Sequence, residues 1–376
     1  MAQKKLNILQ VATHTKIERG GAIQAYLLAK GMKKRGHNVT CVFNKKDEER
    51  NSFDKESLEK IIDEGMELQT YNMRKISDCL KFRKLVIDKE FDIIHTHRDA
   101  ALRFVLKSCL GLKIKALLTN RGNNYKLKRE IKAFKSRKLD RIIAVAEAVK
   151  SVLVEEGINP GKVEVVYGGF DHLRFNQQIS GERILKEFNI PKGSFLVGNI
   201  ATFQKKKGYP YYFMAATEVL KTHPNTIFIA VGSNVKENYG EMTKELGISD
   251  KVIFTGFRED IPEIIAALDL SVCSSNNGEG LTGALRESLA MGKPVISTKI
   301  AGNPEIVIDG VTGLLVPPRD HTSLAKAITF IIENREKAIE FGKKGRSLVM
   351  EKCTNEARCE SIEKIYYNIL QSKGYL

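Results

Sequence analysis

An α/β chain of two successive doubly wound domains is expected for this 376-residue sequence, on three observations. Short apolar runs alternate with longer amphipathic ones from residue 6 to residue 157. A second alternating series begins at residue 195. Between them lies a polar, Gly-containing stretch, YGGFDHLRFNQQISGERILKEFNIPKGS (167–194), which reads as the connection. The length is sufficient for two cores. Strands alternating with helices imply βαβ units and a mainly parallel sheet.

In order, LNILQVAT (6–13) reads as a strand and GAIQAYLLAKGMKKR (21–35) as an amphipathic helix, with apolar residues at helical spacing. NVTCVF (38–43) is a strand, SDCLKFRKLVIDK (77–89) a helix, FDIIHTH (91–97) a strand and DAALRFVLKSCL (99–110) a helix. IKALLTN (114–120) and RIIAVA (141–146) are strands, and EAVKSVLVEEG (147–157) is helical. The second series runs through FLVGNIAT (195–202), TIFIAVGS, KVIFTGF, LSVCSS and KPVIST. EARCESIEKIYYNILQS (356–372) closes the chain as a helix expected to cross back onto the first domain. The domain boundaries expected are 1–175, 176–355 and 356–376. Two such domains, if facing, leave a cleft at the C-terminal ends of their strands, where ligands of open α/β sheets bind.

Composition narrows the function. The hydrophobic fraction of 42% is that of a globular protein, and no apolar stretch is long enough to cross a bilayer. MAQKKLNILQVAT leads directly into a strand with no signal-peptide core, so a cytoplasmic location is expected. Cys41, Cys79, Cys109, Cys273, Cys353 and Cys359 are scattered without a CxxC pair, which argues against metal or redox chemistry. The net charge of +16 is uneven: residues 1–175 hold 36 Lys and Arg against 22 Asp and Glu. Residues 113–141 alone hold eleven bases against Glu130 and Asp140. This is either a solvated lysine-rich face or a field for an anionic partner, including the inner face of the cytoplasmic membrane. Binding to anionic vesicles that weakens with salt is the signature of the second. Nucleic acid is a poor fit, with 7% aromatics, no Trp and no stacking or helix-turn-helix signature.

The most informative segment is SSNNGEGLTGALRESLAMGKPVI (274–296). Glu279 falls in a polar loop and Glu287 inside the helical run that follows, which Gly292 ends. A loop-to-helix junction presents unpaired N–H groups and a positive dipole end, a seat for phosphate. A carboxylate beside that seat is better suited to hydroxyl groups. Phosphate and hydroxyls together describe a nucleotide-sugar.

The chain resembles the retaining glycosyltransferases of GT-B fold in glycosyltransferase family four, the "group 1" transferases. The resemblance is carried by Glu279-x7-Glu287, SLAMGKPVIST (288–298), AGNPEIV (301–307) and DGVTGLLVPPRD (309–320). KGYPYYFMAA (207–216), VIFTGFRED (252–260), YGGFDHLRF (167–175) and ERGGAIQAYLLAKGMKKRGHNVTCVF (18–43) extend it over nearly the whole chain. It implies two facing Rossmann-like domains with the C-terminal helix crossing back.

The resemblance further implies that the N–H groups of Gly20 and Gly21 face a donor diphosphate, and that Lys207 neutralises it as the glycosidic bond breaks. Family members usually carry Arg where this chain has Thr202; Lys205 or Lys206 stands nearby as a substitute without the planar fork. Glu287 is expected on the ribose hydroxyls and Glu279 on those of the donor sugar. The N–H groups of Gly280, Leu281 and Thr282 are expected on phosphate or sugar oxygens, with Asn303 and Glu305 lining the same pocket. Phe257 and Arg258 are candidates for the base pocket. On the acceptor side, Arg121 stands where many members have His, and cannot act as a base; it could stabilise phosphate charge. His95 and His97 are expected on opposite faces of their strand, with His97 a candidate for the reaction centre.

The activity implied is transfer of a sugar, with retention, from a nucleotide diphosphate-sugar to an acceptor hydroxyl. The expected acceptor is a lipid-linked or anionic glycan such as lipopolysaccharide core, in cell-envelope glycan synthesis. With no Asp-x-Asp sequence at a strand end, no metal and no cofactor are expected. The alternatives are a nucleotide-sugar epimerase or phosphorylase on the same fold, or an inactive nucleotide-binding scaffold.

Overall fold

The structure, a computed structural model, describes residues 4–17, 20–45, 55–128 and 130–376. Glu18 and Arg19 of the first glycine segment, and Arg129 of the basic run, lie outside the described residues. The chain forms two compact units, Met1–Gly169 with Asn355–Leu376, and Phe170–Thr354.

In the first unit the alternation runs β1 (Asn7–Ala12), α1 (Gly21–Lys34), β2 (Asn38–Asn44), α2 (Lys55–Asp63), β3 (Glu67–Tyr71), α3 (Ile76–Lys89), β4 (Ile93–His97) and α4 (Asp99–Ser108). It continues through β5 (Ala116–Arg121), α5 (Ile131–Phe134), β6 (Arg141–Ala144), α6 (Glu147–Glu155) and β7 (Val163–Val165). All strand pairs are parallel, in the order β3-β2-β1-β4-β5-β6-β7. Strands such as β1 and β4 are buried almost throughout, as a parallel sheet covered on both faces requires.

The second unit runs α7 (Glu182–Glu187), β8 (Phe195–Ile200), α8 (Tyr209–Thr222), β9 (Thr226–Val231), α9 (Val235–Glu245), β10 (Val252–Gly256), α10 (Ile261–Ala267) and β11 (Leu270–Cys273). It ends with α11 (Gly283–Ala290), β12 (Val295–Thr298), β13 (Leu314–Val316), α12 (His321–Glu333) and α13 (Arg335–Lys352). Its sheet is parallel in the order β10-β9-β8-β11-β12-β13. Helix α7 falls inside the stretch that the sequence presents as pure connection.

The last helix, α14 (Asn355–Ser372), belongs to the first unit. Its Ile362, Tyr366, Ile369 and Leu370 share a core with Leu28 and Met32 of α1 and with Ile8 and Ile93 of the sheet. Each unit is thus one doubly wound sheet with a reversal of strand order, at β1/β4 in the first and β8/β11 in the second. Open α/β sheets bind ligands outside the strand ends at such reversals.

Candidate functional site

Two chain segments leave the β8/β11 reversal. After β8 comes a tight turn, Lys205–Lys207, and then Gly208, which starts α8 at φ 68°. A Cβ at Gly208 would lie 1.9 Å from the carbonyl oxygen of Ser274, so only glycine lets these segments touch. Several hydrogen bonds hold them together, three of them at the base of the turn. Asn199 Nδ2 donates to Ser274 Oγ (2.9 Å), Ser274 Oγ to the Lys207 carbonyl (3.0 Å), and the Asn276 N–H to the Lys206 carbonyl (2.7 Å).

This arrangement brings the predicted charges together. Lys207 Nζ lies 2.8 Å from Glu279 Oε1, and Lys206 Nζ lies 3.7 Å from the same oxygen while donating to the Gly278 carbonyl at 3.0 Å. The three side chains are 17%, 24% and 11% exposed respectively for Lys207, Lys206 and Glu279, so the cluster is shielded but reachable. Thr202, two residues beyond β8, leaves the same strand end.

Helix α11 begins beside this cluster. The N–H groups of Gly283 and Ala284 in its first turn have no intrahelical acceptor, as at any helix start. Those of Gly280 and Leu281 take no acceptor among the described residues. The expectation for Thr282 is corrected: its N–H donates to Asn303 Oδ1 at 3.2 Å. Asn303 is corrected with it. It has no exposed surface, and its Nδ2 donates to Ser297 Oγ at 2.9 Å, so it supports the loop from beneath. Glu305 is partly buried in the turn that follows. Glu287 sits mid-helix and partly buried; burial pushes its carboxyl above the usual value, and Arg286 and Arg174 pull it partly back.

Phe257 and Arg258 follow β10, at the edge of the sheet. Phe257 is 48% exposed and open to a stacking partner. Arg258 is not open: it bonds Glu187 Oε2 (2.9 Å), Asp260 Oδ1 (2.8 Å) and Asp260 Oδ2 (2.6 Å), and lies over the Phe188 ring. Its guanidinium is taken up by carboxylates and braces α7 against the β10 turn, so the side chain does not stand free for a base.

In the first unit, Gly20 caps α1 at φ 57°, ψ −129°, with open space where a Cβ would be, and Gly21 follows it under the His14 ring. Arg121 is corrected in the same way as Arg258. Its Nη1 bonds both oxygens of Asp99 (2.7 and 2.8 Å) and its Nη2 the Tyr125 carbonyl (2.6 Å), at 5% side-chain exposure. A phosphate would have to displace Asp99.

The histidine expectation fails on parity: residues two apart on a strand share a face. His95 and His97 stack with ring centroids 5.0 Å apart and planes within 4°. Both are enclosed in one closed cycle of hydrogen bonds. Gln10 Nε2 donates to Tyr366 Oη (3.3 Å), Tyr366 Oη to His95 Nδ1 (2.6 Å), and His95 Nε2 to Asn120 Oδ1 (3.0 Å). Asn120 Nδ2 then donates to His97 Nδ1 (3.0 Å), and His97 Nε2 to Gln10 Oε1 (2.7 Å). Every ring nitrogen is used, so His97 is a neutral structural group and not a base.

Burial lowers the pKa of His95 to about 3, and burial followed by the neighbouring His95 and Arg358 lowers that of His97 well below its usual value. Both remain neutral in the fold, while the unfolded chain takes up protons below about pH 6.5. Stability is therefore complete above that pH and is lost as pH falls. Each histidine should cost about 2 kcal/mol between neutrality and pH 5. Urea unfolding across that range checks this, and a profile as steep in the His95→Gln, His97→Gln double variant would refute it.

Comparison with known proteins gives two adjoining matches. Residues 19–174 match the model of Glycosyltransferase Family 4, and residues 180–348 that of Glycosyl transferases group 1. The chain belongs to glycosyltransferase family 4.

This family 4 chain is 25% identical over 303 residues to the N-acetyl-alpha-D-glucosaminyl L-malate synthase of Bacillus anthracis, covering 77% of this chain and 78% of that protein. It is 23% identical over 322 residues to an Escherichia coli UDP-Gal:alpha-D-GlcNAc-diphosphoundecaprenol alpha-1,3-galactosyltransferase, covering 80% and 81%. In fold it is similar to Anabaena HepE in complex with UDP and glucose, with a TM-score of 0.81 at 20% identity over 96% and 99% of the two chains. A Rickettsia africae glycosyltransferase superposes at a TM-score of 0.84, also at 20% identity, over 98% and 99%. The fold is GT-B, two Rossmann-like units, and the protein is a glycosyltransferase.

Sequence reasoning passed over several supports of this glycosyltransferase site. Gly208 was legible as the glycine that opens a helix after Lys207, but its contact with Ser274 was not. Nothing signalled Asn199, Ser274 or Asn276, which act through contacts distant in sequence. Arg98 was missed as well. It follows β4 and caps α4 at φ 85°, ψ 156°, a region that glycine alone populates freely, which costs about 1–3 kcal/mol.

Proposed function

We propose that this glycosyltransferase moves a sugar from a nucleotide diphosphate-sugar to a hydroxyl of an anionic or lipid-linked acceptor, with retention and without a metal. The observation that carries the reading is the Lys207–Glu279 pair at the β8/β11 reversal, beside the start of α11. The diphosphate would take Lys207, Lys206 and the N–H groups of Gly280, Leu281 and the first turn of α11. Released from Lys207, Glu279 would turn to the sugar hydroxyls, and Glu287 to the ribose.

In the step itself, the bond from the anomeric carbon to the phosphate oxygen breaks and one to the acceptor oxygen forms on the same face. The acceptor proton passes to the departing phosphate oxygen. This route needs no protein base, in keeping with His97 being enclosed. The lysines supply the charge that a metal would otherwise bring to the leaving group. Two relatives with names that specify L-malate and a diphosphoundecaprenol-linked sugar support an anionic acceptor. The basic first unit supports the same, and peripheral contact with an anionic membrane besides. No helix among the described residues is long and apolar enough to cross a membrane.

A panel of nucleotide-sugars followed by thermal shift tests the donor. A cognate donor at a hundredfold excess over its Kd should add about 2.7 kcal/mol of stability. Glu287→Ala should erase that shift while leaving the unliganded protein close to wild type. A donor shift that survives Glu287→Ala removes this reading of the site. NMR of the product fixes the stereochemistry, and an inverted anomer would refute retention.

A further inference from the structure

We propose that Arg98 holds an oxyanion of the acceptor, a phosphate or carboxylate group, at the C-terminal edge of the first unit's sheet. The proposal rests on reading the first unit as the acceptor side. The β1/β4 reversal is the binding crevice expected of that sheet. The segment after β1 carries His14, Gly20 and Gly21 to its rim, and Arg98 follows the end of β4 directly.

Four observations converge there. The Arg98 side chain is exposed, with no hydrogen-bond or ion-pair partner among the described residues. Its backbone is held where glycine is the favoured residue, so the fold sustains strain to present an arginine at that point. His14 Nδ1 is buried without a partner, and burial followed by the charge of Arg98 lowers that imidazole to about 4. The site therefore offers an unneutralised positive charge within electrostatic reach of a neutral ring able to meet a hydroxyl. Finally, another cation of this sheet's edge is spent: Arg121 Nη1 donates to both oxygens of Asp99, the residue after Arg98. A guanidinium with a free fork suits phosphate and carboxylate alike.

Phenylglyoxal labelling of the full chain, mapped by mass spectrometry, tests this directly. Arg98 should label readily, and inorganic phosphate or L-malate should slow that labelling while leaving exposed Arg137 unaffected. Stronger protection by phosphate marks a phosphorylated acceptor, and stronger protection by L-malate a carboxylic one. Equal rates with and without both anions overturn the proposal. In parallel, Arg98→Gly should raise Tm by roughly 2–4 °C, because strain is relieved, and should keep the nucleotide-sugar shift. A fall in Tm would make Arg98 a structural contact, and loss of the donor shift would place it on the donor; either overturns the acceptor assignment. If the wild type shows no shift with any nucleotide-sugar, the proposed donor reading fails, and the labelling result still decides the role of Arg98 as an anion site.

Discussion

Lys207→Ala is expected to lower kcat by on the order of 10²–10³, the loss typical when one preorganised partner of a developing charge is removed. The reason lies in its placement. Its ammonium sits at the strand-order reversal, 17% exposed, fixed through its own carbonyl to Ser274 and through its charge to Glu279. A group so held needs little reorganisation when the diphosphate departs. Lys206 is a poor substitute, since it already donates to the Gly278 carbonyl and stands 3.7 Å from Glu279. The fold itself should lose only about 1 kcal/mol, because Glu279 keeps Lys206 nearby and some access to water. Single-turnover rates separate this from a binding defect. A rate close to wild type would remove Lys207 from the chemistry. Lys207→Arg should recover part of the loss, and the Lys207→Ala, Glu279→Gln pair should be far from additive, as residues in direct contact are.

Gly208→Ala is expected to destabilise the protein by about 3–5 kcal/mol, among the larger single-residue effects. Two causes combine. The backbone is left-handed at φ 68°, which costs a residue with a Cβ about 1–2 kcal/mol. The added carbon would meet the Ser274 carbonyl at 1.9 Å, and backbone cannot step aside as a side chain tip can. Gly247 is the matched control: it has the same φ of 68° with nothing within 4 Å of its Cβ position. Gly247→Ala should therefore show the conformational cost alone, about 1–2 kcal/mol. Denaturant unfolding of both variants decides the matter. Similar losses for the two would mean that the contact with Ser274 relaxes freely. Any Gly208→Ala protein that folds should bind donor poorly, since the lysine turn and the 274–282 loop would no longer be held in register.

Much of the architecture was legible because buried parallel strands are written as unbroken apolar runs. NILQVA, IIHTH and TIFIAV are such runs, and each was read to within two residues of its observed ends. What escaped was at the margins. β3, ELQTY, exposes most of its length to intermediate burial at the sheet edge, and β7 and β13 have three residues each. Helix α7 was hidden by the polar composition around it. At the site, the Glu279-x7-Glu287 spacing and the Lys207-Gly208 pair led to one cluster, because each follows a strand adjoining the reversal. The failures have a common source. Arg121, Arg258 and Asn303 were read as available to a ligand, and their partners Asp99, Glu187 and Thr282 lie 22, 71 and 21 positions away, with Asp260 the one near neighbour, two residues from Arg258. Which cation is already neutralised is a property of packing, and no local pattern carries it. The histidine assignment was different: alternation along the strand was enough to place both rings on one side.

The assignment of α14 to the first unit has a consequence for how the molecule comes into being on the ribosome. Nascent chains ordinarily finish their N-terminal domain first. Here residues 170–354 form an unbroken stretch that can complete itself earlier, whereas the first 169 residues must wait for Tyr366 to close the loop through Gln10 and His95. Until α14 has been made, Leu28 and Met32 lack the apolar cover that Ile362 and Leu370 later provide. The unit begun first is thus finished after the second.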